Sequence, residues 1–307
     1  MFTRQIRLAG ILLLVLFMGQ TGAYSATQDF ANVQIQTEKV ADNVFMLIGA
    51  GGNIGVSAGK DCVFMIDTSY APLADKIKAA VAAVSGKPIQ YVVNTHWHQD
   101  HTGGNDNFVK AGATVVAHEN VRKRVSTEQF VKLLNKTVPP LPESALPVIT
   151  FSQDVTFHLN GNEIFIFNIK RAHSDGDAIV HFKKSNVIHM GDIYFNGMYP
   201  FIDLSAGGSI NGMIAAVKRI LLLCDQNTKV IPGHGHLSNK AELEEYLKML
   251  VTVRDRIARE IKAGKPLDAV IASQPTRDLD PTLGKGFMKT EQFVKIVYES
   301  LVNEKSH

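Results

Sequence analysis

The chain has 307 residues, 32 lysines and arginines against 29 acidic residues, and a formal net charge of +3 at pH 7. An amino-terminal leader would remove Arg4 and Arg7 and no acidic residue, which lowers the net charge by two, to +1. Because the remaining chain is nearly neutral and has no block of basic residues, we expect no nucleic-acid partner.

The amino terminus has the pattern of a secretory signal peptide. Two arginines precede an apolar stretch from Leu8 to Met18, and small residues follow as far as Ala26. The stretch is too short to favour a membrane-spanning helix, and no cysteine near the small residues could carry a lipid. We therefore predict a signal peptide over residues 1–25, export to the periplasm or outside the cell, and no stable membrane association afterwards.

Strands and helices alternate through the remaining chain, which we predict to be one domain over 26–307 with a helical carboxy-terminal extension from about 240 to 307. Apolar and β-branched runs predict strands over 33–37, 44–48, 62–67, 89–94, 114–117, 178–182, 187–190 and 229–231, and a hairpin over 155–168. Helical patterns cover 73–84, 105–111, 119–134, 210–223, 240–262 and 290–301. A two-sheet core with helices on both faces accounts for this order.

Side chains that bind metals follow the strand over 89–94. In extended backbone, residues two apart point to the same side, so His96 and His98 can hold one ion. Asp100 and His101 come next, where the chain leaves the strand. Four ligand-type side chains thus lie on one loop between a strand and a helix.

Three further candidates follow later strands. His173 comes after the predicted hairpin, Asp192 after the strand over 187–190, and His234 after the strand over 229–231. Strand ends are common positions for functional side chains. The whole set offers nitrogen and carboxylate ligands without a thiolate, in numbers that suit two borderline divalent metals.

This order of motifs resembles that of the metallo-β-lactamase superfamily, whose members share a His-x-His-x-Asp-His loop followed by a single His, a bridging Asp and a last His. The resemblance spans roughly residues 33–237. It implies an α/β (α+β) fold, namely an αββα four-layer sandwich of two mixed β-sheets flanked by helices. It also implies that one metal is held by His96, His98 and His173. A second metal would be held by Asp100, His101 and His234, with Asp192 bridging the pair.

The same resemblance implies a reaction and supporting residues. Two divalent ions, expected to be Zn²⁺, would share a hydroxide that attacks an acyl carbon of a small-molecule lactam, lactone, ester or thioester. Asp100 would also be catalytic, because it could orient the nucleophile and pass on a proton. Asp67 would orient a ligand histidine from outside the metal pair. The segment that follows Asp192 lacks the substrate-binding lysine of the thiolate-containing β-lactamases, so β-lactam cleavage stays open.

Two other functions are compatible with the ligand series. A persulfide-dioxygenase-like oxidoreductase would use much of the same set with a single iron, and a metal count would distinguish it. A non-catalytic metal-binding accessory protein would bind metal without turning over any ester, thioester or lactam. The sequence does not determine the oligomeric state. Cys62 and Cys224 have apolar neighbours, so two buried thiols are expected in preference to a disulfide.

Overall fold

The computed structural model describes residues 29–305, and side chains as far as residue 304; the predicted signal peptide lies outside this range. Within the range, no helix combines the length and apolar character that crossing a membrane requires. Cys62 and Cys224 are both buried and unpaired, as predicted.

Two β-sheets form the centre of the fold. The first contains, in spatial order, β1 (Gln36–Ala41), β2 (Val44–Ile48), β3 (Ile54–Ala58), β4 (Val63–Ile66), β5 (Ile89–Asn94), β6 (Thr114–His118) and β9 (Ile149–Phe151). The second contains β10 (Asp154–Leu159), β11 (Asn162–Ile169), β12 (Asp177–Phe182), β13 (Val187–His189), β14 (Lys229–Ile231) and β15 (Ser238–Asn239). A separate hairpin is formed by β7 (Gln129–Val131) and β8 (Lys136–Val138).

Helices cover the outer faces of the two sheets. In chain order they are α1 (Ala74–Val84), α2 (Gln99–Thr102), α3 (Asn105–Val109), α4 (Glu119–Val125), α5 (Ile210–Leu221), α6 (Lys240–Lys262), α7 (Leu267–Ala272), α8 (Asp280–Leu283) and α9 (Thr290–Lys305). Helix α1 packs on the first sheet, while α5, α6 and α9 share a core with the second. The layers are therefore helix, sheet, sheet and helix.

The packing of strand β4 on both faces explains why all of its residues are apolar. Successive side chains of a strand point to opposite faces. Phe64 and Ile66 lie in the core between the two sheets, whereas Val63 and Met65 pack against the helical layer that contains α1. A strand covered on both faces needs apolar residues at every position.

The arrangement of parallel strands determines where the loops meet. Strands β4, β5 and β6 run parallel in the first sheet, and β13 and β14 run parallel in the second. Parallel neighbours end at the same edge, so the loops after β4 and β5 converge, and those after β13 and β14 do likewise. All four loops carry predicted site residues.

Most predicted elements are confirmed, several with their bounds. Strands β2, β5 and β14 and helix α6 agree with the predicted residues, while β1 begins three residues later than expected, at Gln36. Strands β3, β9 and β15 and helices α2, α7 and α8 were not predicted. The short segments of α7 and α8 give too little periodicity to identify a helix.

The predicted helix over 119–134 is wrong, because α4 ends at Val125 and the chain continues into the β7–β8 hairpin. The hydroxyls of Ser126 and Thr127 donate to the carbonyl of Lys123, and such local bonds compete with a continuing helix. Val131 then packs into the core from the hairpin. Tertiary burial thus determines this segment.

Candidate metal centre

The loop after β5 brings four of the predicted side chains to one place. The strand ends at Asn94, and the short helix α2 begins directly after His98. The turn of α2 directs Asp100 and His101 back toward the histidines that precede it. The carbonyl of His98 accepts hydrogen bonds from the backbone N–H groups of His101 and Thr102, which fixes this turn.

Three imidazoles and one carboxylate oxygen form the first group of ligand-type atoms. His98 Nδ1 lies 3.0 Å from His96 Nε2 and 2.9 Å from His173 Nε2. Asp192 Oδ2 lies 3.7 Å from His96 Nε2 and 3.7 Å from His173 Nε2. All four side chains are buried, and one ligand atom from each lies within 4.8 Å of the others.

Asp100, His101 and His234 form the second group. Asp100 Oδ2 lies 3.5 Å from His101 Nε2 and 3.3 Å from His234 Nε2. The side chains of Asp100 and His234 are 21% and 22% exposed, whereas that of His101 is fully buried. The second group is thus open to solvent on one side, and the first is closed.

Asp192 lies between the two groups and faces each with a different oxygen. Its Oδ2 belongs to the first group, while its Oδ1 lies 3.1 Å from His101 Nε2 and 3.4 Å from His234 Nε2. A carboxylate placed in this way could ligate a cation in each group. The structure therefore brings all seven predicted side chains together, in two groups between which Asp192 lies.

Two atoms at the centre test whether the residues suit a metal. His101 Nε2 and Asp192 Oδ1 are buried and lie 3.1 Å apart, but no hydrogen bond satisfies either atom. Buried polar atoms are rarely left unpartnered, because desolvation costs about 1–3 kcal/mol each. A cation between these atoms would satisfy both, and nitrogen and carboxylate donors are ordinary ligands of zinc.

The outward nitrogens of four histidines are held by other groups. His101 Nδ1 lies 2.7 Å from Asp67 Oδ2, and His98 Nε2 lies 3.0 Å from Asp203 Oδ2. His173 Nδ1 lies 2.9 Å from the carbonyl of Phe201, and His96 Nδ1 lies 3.1 Å from the hydroxyl of Thr95. Partners of this kind select the ring tautomer and direct the opposite nitrogen toward the centre.

Asp67, which the resemblance implied would orient a ligand histidine, lies beside His101. It is fully buried at the end of β4 and accepts hydrogen bonds from the backbone N–H and the hydroxyl of Thr95, each at 2.7 Å. Its carboxylate therefore connects the start of the ligand loop to His101, near the loop's end.

Asp203 and Phe201 were not identified from the sequence. They lie on the segment before α5, about a hundred residues after the histidine loop, and nothing in the spacing links them to His98 or His173. An acidic residue in a long irregular segment is the only signal that could have suggested Asp203.

The electrostatics of the centre favour a cation. Burial alone would raise the pKa of Asp192, but the imidazoles of His101, His234 and His96 outweigh it and hold that pKa well below its ordinary value. Against the same effect of burial, His101 and His234 hold the pKa of Asp100 well below its ordinary value. Both carboxylates are thus charged at neutral pH, as metal ligands must be.

The pKa values of the histidines differ according to how close each ring lies to these carboxylates and how deeply it is buried. Burial lowers the pKa of His173 to about 4, and burial together with His101 lowers that of His96 well below its ordinary value. Burial opposes protonation of His234 as well, but Asp192 and Asp100 raise its pKa to about 9. His96 and His173 of the closed group therefore present neutral nitrogens, and His234 of the open group lies in a negative field.

Gly233 is required by its closeness to the centre. A Cβ atom at this position would lie 2.1 Å from Asp192 Oδ1 and 2.6 Å from the carbonyl oxygen of Gly191. Both contacts are far shorter than real Cβ atoms make. The glycine before His234 thus lets the loop after β14 approach the carboxylate.

The family model described as the metallo-beta-lactamase superfamily matches residues 48–250, which is more than half of the chain. The chain belongs to the metallo-beta-lactamase superfamily, which contains hydrolases. The matched residues include all seven of the clustered side chains and Asp67.

Curated relatives with hydrolase names are similar to the chain at low identity. Hydroxyacylglutathione hydrolase from Polaromonas sp. (strain JS666 / ATCC BAA-500) is 28% identical over 175 residues, which covers 55% of this chain and 57% of that enzyme's length. Metallo-beta-lactamase type 2 from Elizabethkingia meningoseptica is 22% identical over 246 residues, with 77% of this chain and 92% of the relative covered.

Solved structures confirm the predicted fold class. A metallo-beta-lactamase from Pontibacter korlensis superposes with a TM-score of 0.58 at 17% identity, and the match covers 71% of this chain and 99% of that one. At this identity the likeness concerns the fold, and it agrees with the αββα order of layers.

Proposed function

We propose that the protein is a binuclear zinc hydrolase that is exported and cleaves an acyl bond of a small-molecule lactam, lactone, ester or thioester. The observation that carries the proposal is the position of Asp192, whose two oxygens face two separate groups of ligand-type atoms. His96, His98 and His173 would hold one metal and Asp100, His101 and His234 the other. The relatives named as a hydrolase and a beta-lactamase support a hydrolytic reaction.

The chemistry that two bound divalent cations supply is a water acidified toward neutrality and a polarised acyl oxygen. The chain's own residues would prepare the site for it. Asp67 and Asp203 hold His101 and His98 in fixed tautomers, and Asp192 stays ionised between the two groups. The open side at Asp100 and His234 gives a substrate access.

Asp100 is the residue that we assign to proton transfer. Its carboxylate is ionised, partly exposed, and held near His101 and His234 through Oδ2. Its other oxygen can accept a hydrogen bond from an attacking water and orient it. No serine or cysteine nucleophile is needed in this scheme.

The test is a metal count combined with a substrate panel. The chain is expressed with its leader, the mature protein is purified, and its metals are measured by elemental analysis before assays on lactams, lactones, esters and thioesters. We expect two equivalents of zinc, with activity lost to a chelator and restored by zinc. His158→Ala, which changes an exposed histidine on β10, serves as the control and should keep both metals.

Two results would contradict the proposal. A single iron without zinc would support the dioxygenase-like alternative, because the second group would then be empty. Two bound metals without turnover of any acyl compound would support a non-catalytic metal-binding role.

Export and domain organisation form a second part of the proposal. The support for export is the leader pattern in residues 1–25, and fractionation of a two-membrane bacterium tests it. We expect a shortened chain in the periplasmic fraction; a full-length chain in the cytoplasm would contradict export.

The shared core of α5, α6 and α9 supports a single domain over 26–307, which limited proteolysis should leave uncut.

A further inference from the structure

The β7–β8 hairpin carries a cation to the edge of the candidate metal centre. Lys136 Nζ donates a hydrogen bond to Gln99 Oε1 at 3.1 Å. Gln99 is the residue between His98 and Asp100, so the ammonium group is anchored to the loop that supplies both groups of ligand-type atoms. The hairpin is the segment that the sequence had predicted to be helical.

The register of the hairpin explains why Lys136 reaches the site. Lys136 is the cross-strand partner of Val131, and residues directly opposite each other place their side chains on the same face. Val131 is only 3% exposed and packs into the core, so this face is turned toward the body of the protein. Lys136 therefore extends across the face that overlies Gln99.

The charge of Lys136 is not cancelled by the protein. Within residues 29–304, no carboxylate forms an ion pair with Lys136. Its polar contact is with a neutral amide oxygen, which positions the ammonium group and leaves its charge intact. The segment 193–196 after Asp192 contains no basic residue, so it offers no cation of its own.

Lys132 on the same hairpin differs in its surroundings. It lines a cavity of about 270 Å³ together with Lys295, Asp203 and Glu299, and Lys295 lies 3.9 Å from Glu299. The two carboxylates offset the positive charge of the two lysines in this cavity, so it attracts a further anion only weakly. Lys136 is therefore the hairpin residue whose charge is available next to the metal centre.

We propose that Lys136 binds a carboxylate of the substrate, so that the metal centre acts on anionic acyl compounds. This inference rests on the proposed hydrolase function and narrows its substrate class. A flexible lysine can form a charge-assisted hydrogen bond to a carboxylate that approaches the open side near Asp100. The acyl bond and the anionic group would then lie on either side of Gln99.

A matched pair of compounds tests the proposal. The chromogenic lactam nitrocefin is used as its free carboxylic acid and as its methyl ester, which differ in one negative charge. For the zinc-loaded protein we expect kcat/KM to favour the acid, and the preference to fall as salt is added. Lys136→Gln should lower the acid-over-ester ratio about tenfold, through KM rather than kcat. Lys136→Arg should keep most of the preference, whereas Lys136→Glu should reverse it.

Two control variants separate this charge from others. Lys132→Gln removes the other lysine of the hairpin. Lys87→Gln removes a lysine that precedes β5, at the opposite end of the strand from His96 and roughly 30 Å away at most at the usual rise per residue. Both should keep the wild-type ratio. An equal loss of preference in Lys136→Gln and Lys132→Gln, or an unchanged ratio in Lys136→Gln, would overturn the assignment.

Equilibrium binding keeps this test separate from the hydrolase proposal. If the protein turns over neither form of nitrocefin, the proposed lactam hydrolysis is refuted. Calorimetric titration with the acid and with the ester then still measures whether Lys136 binds the carboxylate. Tighter binding of the acid that is lost in Lys136→Gln would support the inference. Equal binding of the two forms, or no binding of either, would overturn it.

Discussion

Two buried polar clusters lie at opposite ends of strand β4, and they differ in whether the protein satisfies them. Cys62 precedes the strand at one end, where Asn160 forms the centre of a hydrogen-bond network. Asp67 follows the strand at the other end and supports the candidate metal centre. The two ends are built from the same two sheets.

At the Asn160 end, protein groups satisfy the side chain. Its amide N–H groups donate to the carbonyls of Ser57 and Cys62, and its Oδ1 accepts from the backbone N–H groups of Asp61 and Cys62. At the metal end, His101 Nε2 and Asp192 Oδ1 lie 3.1 Å apart, but no hydrogen bond satisfies either atom. A complete hydrogen-bond network indicates a structural role, whereas unsatisfied imidazole and carboxylate atoms at one place suit a metal ion.

The largest effect is expected from Asp192→Ala, because this variant removes an oxygen from each group at once. Activity on any substrate of the wild type should fall below about 1%. Elemental analysis should show loss of metal from both groups. Retention of two metals and full activity would mean that Asp192 does not bridge the two groups. The unsatisfied atoms at this end of β4 would then not indicate a metal centre.

One ligand change in each group should test the closed group and the open group separately. His98→Ala and His234→Ala should each abolish hydrolysis and lower the metal content to about one equivalent. Both residues lie on loops, so far-UV circular dichroism should change little. Full activity in either variant would contradict the assignment of its group.

Asp203→Asn should have an intermediate effect. The change removes the negative charge that holds His98 Nε2, and losses of about 10- to 100-fold in metal affinity are typical for such partners. Competition with a coloured chelator measures that affinity. Asp154→Asn, at an exposed position on β10, is the control. Equal affinities in the two variants would show that Asp203 does not support the centre.

At the opposite end, Asn160→Ala should reduce stability without affecting the metals. Several buried backbone groups would lose their partners, so the free energy of unfolding should fall by about 3 kcal/mol in urea titrations. Asn160 has a positive φ of 53°, which alanine tolerates poorly.

Asn160→Gly separates the two causes, because glycine relieves the backbone but also lacks the amide. We expect the free energy of unfolding of Asn160→Gly to be only about 1 kcal/mol higher than that of Asn160→Ala. Full recovery would assign the effect to backbone conformation. A loss of metal in either variant would show that the two ends are coupled.

Local patterns predicted the elements that lead into the site. The bounds of β5 follow from a short apolar and β-branched run, and those of α6 from a long amphipathic period, because these signals depend on neighbours in the chain. The seven clustered side chains could be selected as well, since each follows a strand or a turn and the order of motifs is distinctive. Asp67 was found in the same way.

The β7–β8 hairpin shows where local patterns stop. Residues 126–134 continue a helical period, yet pairing with β8 and burial of Val131 determine their conformation. Because this segment was predicted to be helical, Lys136 was not identified as a neighbour of the site. It reaches Gln99 because the segment forms a hairpin. Asp203 is a comparable case, since its contact with His98 joins residues 105 positions apart.

The sequence by itself determined which side chains can bind metal, which strands deliver them, and which family of folds could bring them together, because ligand chemistry and strand periodicity are properties of short segments. Only the tertiary structure decided that Asp192 faces both groups, that Asp203 holds His98, and that Lys136 lies beside Gln99. These contacts join loops from different strands, and their distances depend on how the two sheets pack.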